Sequence, residues 1–127
     1  MLAGIHHAAI ICSDYARSRH FYTEILGLRV IAENYRRDRD SHKLDLALPD
    51  GSQLELFSLP GAPARPSYPE ARGLRHLAFR VESIEDAVAQ LSAAGVTVEP
   101  VRTDPYNGKR FTFFADPDQL PLELYEA

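Results

Sequence analysis

Cysteine is nearly absent: Cys12 is the only one in 127 residues. A lone cysteine excludes an intrachain disulfide and any zinc or iron–sulfur site built on several thiolates. Its place between Ile11 and Ser13, at the end of an apolar run, is that of a small core side chain, and no second cysteine is present to resolve an oxidised thiol. Long apolar runs are missing too, and none approaches the roughly 20 residues a membrane helix needs. The N-terminal Met-Leu-Ala-Gly-Ile-His-His lacks the basic-then-apolar plan of a signal peptide, so a cytoplasmic location without membrane contact is the expectation. Nor is there an excess of positive charge. The formal net charge of −4 speaks against nucleic acid, which demands a basic face. The local run Arg36, Arg37, Arg39 interleaves with Asp38 and Asp40 and reads as a solvated strand or loop edge. What remains is 45% hydrophobic and 25% charged, close to globular averages. The length suits a single domain over residues 1–127, because two independent cores of half that size would both be marginal.

Within that domain the chain repeats itself. A histidine, a short apolar strand, a Ser/Asp/Glu cap, an amphipathic helix, a glycine stop and a β-branched restart follow one another from His7 and again from His76. From His7 to the stopping Gly27 is 20 residues, and from His76 to Gly95 is 19. The repeat continues, since Asp50 precedes Glu55-Leu56-Phe57 as Asp118 precedes Glu123-Leu124-Tyr125. His7 to Glu55 is 48 residues and His76 to Glu123 is 47, so one supersecondary unit used twice explains both spacings.

Local signals give each unit the order β-α-β-β-β. The first helix is expected over about 14–26, capped by Ser13 or Asp14, with Phe21, Tyr22, Ile25 and Leu26 at helical spacing. The second starts at Ser83-Ile84-Glu85-Asp86, which has the capping-box form, and buries Ile84, Val88 and Leu91. Leu44, Leu46 and Leu48 alternate as a strand that turns at Pro49-Asp50-Gly51 and returns over 53–57. In the second unit 111–114, the turn Asp116-Pro117-Asp118 and 120–125 take the same parts. Between the units, Pro60, Pro63, Pro66 and Pro69 exclude helix or central strand. The fold class is therefore α+β: two βαβββ modules, about 4–59 and about 73–127, joined by a linker over about 60–72, with sheets curved around a cleft.

Strand alternation decides which side chains face that cleft. His7 shares a face with Ala9 and Ile11, opposite Ala8, Ile10 and Cys12. His76 lies opposite Leu77, Phe79 and Val81. Glu55 is flanked by Leu54 and Leu56, as Glu123 is by Leu122 and Leu124. A lone strand histidine or glutamate is usually a bystander. Four at repeat-equivalent positions are another matter: if the sheets curl so that the face opposite the helices is concave, two imidazoles and two carboxylates converge, and without a cation the carboxylates would repel and have to protonate. A divalent metal removes that cost. His6, adjacent to His7, is expected on the opposite face, while helix residue His20 and loop residue His42 have no partner at ligand spacing.

This pattern resembles the vicinal oxygen chelate superfamily, most closely its glyoxalase I (lactoylglutathione lyase) branch. The resemblance runs through His7, Phe21-Tyr22, Leu26-Gly27-Leu28, Leu54-Glu55-Leu56, Gly73-Leu74-Arg75-His76-Leu77-Ala78-Phe79, and Asp116-Pro117-Asp118 leading to Leu122-Glu123-Leu124. It implies one divalent ion (Ni, Co, Zn, Mn or Fe) held by His7, Glu55, His76 and Glu123. A carboxylate at Glu55 is similar to glyoxalase I, whereas dioxygenase and fosfomycin-modifying branches generally use two histidines and one glutamate. The implied reaction is a lyase/isomerase step that moves a proton next to a carbonyl through an enediolate, with Glu123 and Glu55 as candidate catalytic bases.

Glyoxalase I often has an arginine four residues after the first histidine, where this chain has Ile11, and an asparagine soon after the second ligand, where it reads Leu56-Phe57-Ser58-Leu59. These departures argue against glutathione as the thiol of a 2-oxoaldehyde–thiol adduct. The segment Tyr106-Asn107-Gly108-Lys109-Arg110 offers either a different anion site or a basic turn. The rival readings are other chemistry on the same site (epimerase, dioxygenase, thiol transferase) and a non-catalytic small-molecule binding protein. An open four-stranded sheet leaves edges and one bare face, so a homodimer is the expected assembly.

Overall fold

Residues His7–Cys12 form strand β1 in the computed structural model, which describes residues 1–127. Asp14 then caps helix α1 (Tyr15–His20), its carboxylate accepting from the Arg17 amide at 3.1 Å. The expected helix over 14–26 changes character half-way. Residues Phe21–Ile25 form a π-type turn, with the Leu26 amide reaching back five residues to the Phe21 carbonyl at 2.9 Å. The wider turn accompanies full burial of the adjacent Phe21 and Tyr22 rings, which 3.6-residue spacing alone does not forecast. Gly27, at φ +75°, ends the segment in the left-handed region.

Strands β2 (Arg29–Arg36), β3 (Ser41–Ala47) and β4 (Gln53–Ser58) follow. They form a four-stranded sheet in the order β1-β4-β3-β2, with β1 parallel to β4 and the other pairs antiparallel. His42 is within β3 rather than in a loop. Its ring stacks on Tyr15 at 4.1 Å, a structural role for the side chain. The register sets Leu44 beside Leu56 and Leu46 beside Leu54, and all four are at most 3% exposed. With Ile10, Cys12, Phe21 and Tyr22 they make the core of this unit.

The second unit repeats the plan with β5 (Leu77–Val81), α2 (Ile84–Ala93), β6 (Arg102–Thr103), β7 (Arg110–Ala115) and β8 (Pro121–Glu126), in the order β5-β8-β7-β6. The Ser83 hydroxyl accepts from the Asp86 amide at 3.2 Å, as the capping pattern implies. Ile84, Leu91, Phe114, Leu122 and Leu124 are buried. The β-branched restart after Gly95 does not become a full strand, and β6 has only two residues. The segment after Gly95 touches β7 at Glu99, whose amide donates a hydrogen bond to the Phe113 carbonyl at 2.9 Å, and Pro100 has no amide to extend the ladder.

The chain thus divides into two βαβββ units, Met1–Ala64 and Arg65–Ala127, with the boundary inside the expected linker. No helix is long and apolar enough to cross a membrane.

Candidate metal centre

In the first unit, β1 and β4 run parallel with Ala9 beside Glu55, which carries His7 and Glu55 on the face opposite the buried leucines. His7 Nε2 is 3.4 Å from Glu55 Oε2. The Glu55 side chain is 16% exposed against 39% for His7, so the carboxylate is the deeper partner. On the next strand Lys43 Nζ lies 3.0 Å from Asp45 and 3.9 Å from the other Glu55 oxygen. Lys43 and Asp45 come from a strand whose alternation showed only its leucines, and nothing local indicated that they flank Glu55. The register of β3 on β4 places Asp45 directly opposite it.

His6 departs from expectation. It precedes β1, and its Nδ1 is 2.9 Å from His7 Nδ1. One of the two rings must carry a proton there, which leaves His7 Nε2 directed at Glu55. Two adjacent histidines were the only sequence signal for this pairing; His6 precedes β1 by one residue, as His76 precedes β5, so strand alternation by itself settles neither side chain.

The second unit holds the equivalent pair more tightly. His76 Nε2 is 2.8 Å from Glu123 Oε2, with side-chain exposures of 27% and 10%. His76 Nδ1 is buried without a hydrogen-bond partner. The β7–β8 register sets Phe113 opposite Glu123 and Phe111 opposite Tyr125 on this face, while Thr112 and Phe114 turn to the core. The His76 ring meets Phe113 edge-on at 5.1 Å, and the Arg102 guanidinium lies over the same ring at 5.5 Å. At the far end of the face the Asn107 amide donates to the Tyr125 phenol and tends to lower its pKa. Its own bond to Asp104 at 2.8 Å, together with burial, prevails and holds the phenol above its ordinary range.

Each unit therefore pairs one imidazole with one carboxylate. Neither unit by itself gathers three or more His, Cys, Asp or Glu side chains into a group able to hold a metal ion. The donor chemistry suits a divalent cation. In each pair an imidazole nitrogen and a carboxylate oxygen, both donors such an ion accepts, lie close enough to serve as neighbouring ligands, at 3.4 Å and 2.8 Å from each other. The basic segment 106–110 takes the second of its two expected forms. Lys109 donates to the Ala127 carbonyl at 2.8 Å, and Arg110 is held by Glu126 and Glu85.

The profile of the Glyoxalase/Bleomycin resistance protein/Dioxygenase superfamily matches residues 4–124. The chain belongs to that superfamily. It is 60% identical over 126 residues to the uncharacterized protein YwkD of Bacillus subtilis (strain 168), covering 99% of this chain and 98% of YwkD. It is 58% identical over 125 residues to the uncharacterized protein YaeR of Escherichia coli (strain K12), covering 98% and 97%. The crystal structure of a glyoxalase family protein from Enterococcus faecalis superposes with a TM-score of 0.91 at 52% identity, covering 98% of each chain. More distant relatives include a 2-epi-5-epi-valiolone epimerase of Actinomyces sp, 29% identical over 94% of this chain and 77% of that protein, and a probable lactoylglutathione lyase of Vibrio cholerae, 27% identical over 96% and 89%. A mutant of the fosfomycin resistance protein FosX of Listeria monocytogenes, crystallised with Mn(II) and 1S,2S-dihydroxypropylphosphonic acid, shares the fold at a TM-score of 0.75 and 20% identity, covering 98% of this chain and 90% of that one.

Proposed function

We propose that this superfamily member is a metal-dependent, glyoxalase I-like lyase/isomerase that moves a proton next to a carbonyl in a small 2-oxoaldehyde–thiol adduct. The supporting observation is the repeated pair: in each unit one histidine and one largely buried glutamate meet on the face opposite the leucine core, at spacings suited to neighbouring ligands of one ion. His7, Glu55, His76 and Glu123 would hold that ion, with nickel, cobalt, zinc, manganese or iron as the candidates. When bound, the metal supplies Lewis-acid polarisation of the substrate oxygens.

The remaining chemistry belongs to the side chains. His6 and the strand register orient His7, and Phe113 fixes the plane of the His76 ring by edge contact. Glu123 or Glu55 takes the proton from the substrate carbon and returns it to the neighbouring carbon, acting first as general base and then as general acid. A single chain bringing its two units together, or two chains exchanging them in a homodimer, would complete the quartet, and the homodimer is the form we favour. Light scattering that finds a metal-loaded monomer at micromolar concentration would exclude it.

The deciding experiment follows the proton. Metal-loaded protein in deuterium oxide should introduce deuterium into a competent adduct, and Glu123→Gln should slow this by roughly a hundredfold or more if Glu123 is the base. Glu55→Gln is the paired measurement, so the larger loss identifies the base. Adducts that bind without any exchange would favour non-catalytic binding. Exchange without isomerised product would favour epimerase chemistry, the activity named for the Actinomyces relative.

A further inference from the structure

The second unit contains a cavity of about 160 Å³ next to His76, lined in part by Arg65, Arg75, Arg102, Glu99 and Phe113. Neither the ligand quartet nor the proton transfer accounts for its three guanidinium groups. Two of them are paired with glutamates at the surface. Arg102 Nη2 is 2.8 Å from Glu99 Oε1, with both side chains about half exposed, and Arg75 Nη2 is 3.6 Å from Glu70 Oε1, where both are more exposed still. Exposed pairs of this kind are worth little and exchange readily with another carboxylate.

Arg65 is different. Its Nε donates to Ser67 Oγ at 2.7 Å, and its Nη2 reaches the Leu74 and Arg75 carbonyls at 3.4 and 3.3 Å. Ser67 is itself anchored by donating to the Gln119 carbonyl at 2.9 Å. Neutral acceptors thus fix the Arg65 guanidinium without cancelling its charge. Arg102 is also positioned, lying over Phe111 at 5.3 Å and Phe113 at 5.5 Å. Phe113 carries Arg102 and His76 on a single ring, so the cationic pocket begins one aromatic ring away from the proposed metal ligand.

We infer that this pocket is an oxyanion subsite, binding the carboxylate or phosphoryl group of the substrate while the substrate's reacting oxygens lie toward His76. Planar guanidinium groups match both kinds of oxyanion with paired hydrogen bonds, and Glu99 and Glu70 occupy in the free protein the place the ligand takes. The inference rests on the proposed function for the orientation of the substrate, and it gives that function a substrate class: acidic 2-oxo compounds or adducts of an acidic thiol.

The test uses the full-length protein and two probes, inorganic phosphate and acetate, titrated while the arginine Nε–Hε resonances are followed by NMR. Run first on metal-free protein, it does not depend on turnover. Saturable shifts of Arg65 and Arg102 are expected, and the tighter probe names the group recognised. Arg102→Ala should weaken binding at least tenfold and Arg102→Lys by less, with amide spectra showing that each variant is folded. Glu99→Gln removes the internal competitor and should tighten binding about two- to fivefold, the range that a surface pair of this strength allows. Arg39→Ala, in the first unit, should change nothing. Non-saturating shifts, or a loss below twofold in Arg102→Ala, would overturn the subsite. Elemental analysis separates this from the metal assignment: phosphate saturation in a wild type that takes up no metal would sink the metal reading alone, and metal uptake without saturable anion binding would sink the subsite alone.

Discussion

The two histidine–glutamate pairs differ in a way that stability measurements can read. His76 and Glu123 approach to 2.8 Å with the carboxylate only 10% exposed, whereas His7 and Glu55 are 3.4 Å apart with the histidine 39% exposed. A hydrogen bond to a charged group is worth about 1.5–3 kcal/mol, and an exposed ion contact about 0–1 kcal/mol. A double-mutant cycle of His76→Ala and Glu123→Ala, followed by urea denaturation with excess chelator, should therefore return a coupling of about 1.5–3 kcal/mol. The matching cycle of His7→Ala and Glu55→Ala should stay below about 1 kcal/mol. Chelation matters because an ion held by the proposed quartet would couple all four residues and mask the two pairwise energies. Restoring a divalent metal to a hundred times its dissociation constant should add about 2.7 kcal/mol to the wild type. For a chain of this length that is a rise in Tm of about 10 °C, checked by calorimetry. Equal couplings in the two metal-free cycles, or a larger one for His7 and Glu55, would refute the reasoning from burial and distance.

Other perturbations test other parts of the structure. His7→Ala or His76→Ala should sharply lower metal content by elemental analysis, and stoichiometric metal in both variants would show that the site is elsewhere. Leu44→Ala, at a side chain with no exposure, should cost about 2–5 kcal/mol in denaturant unfolding. Gly95→Ala meets no atom within 4 Å of the new Cβ but must keep φ at +83°, so its cost should be the left-handed backbone penalty alone, about 1–2 kcal/mol. The Glu33 carboxyl is held below its ordinary value of 4.5 by hydrogen bonds from Arg19 and then Tyr15. It stabilises the fold above that value and loses this effect as pH falls through its lower folded-state value. Glu33→Gln should therefore flatten the stability curve below about pH 4.5, and added salt should shrink the difference.

The duplicated architecture was legible because each unit repeats local signals: a cap before each helix, Gly27 and Gly95 after them, and Glu-Leu-aromatic at the end of each last strand. Strand alternation likewise separated Glu55 and Glu123 from the leucines around them, because its period of two needs no knowledge of neighbouring strands. What stayed hidden depended on contacts across strands. Asp45 faces Glu55, and Phe113 faces Glu123, only through registers set by turns, and Arg102 reaches Phe113 from a strand too short to show any periodicity. The His6–His7 contact was hidden because His6 precedes the strand and escapes its alternation. The π-type turn at Phe21 coincides with burial of the Phe21 and Tyr22 rings, which local spacing does not specify.

Cys12 sits on the inner face of β1 with 3% of its surface exposed. Its sulfur is the only thiol in the chain, and the half from Arg65 onward has none. An aromatic disulfide reagent can therefore react only when an opening event, local or global, uncovers this part of residues 1–64, so the labelling rate is a clock for the opening of that half. Set against amide exchange in β7 and β8, that clock tells whether the two halves of the duplication breathe together or independently, and whether a ligand that quiets one also quiets the other.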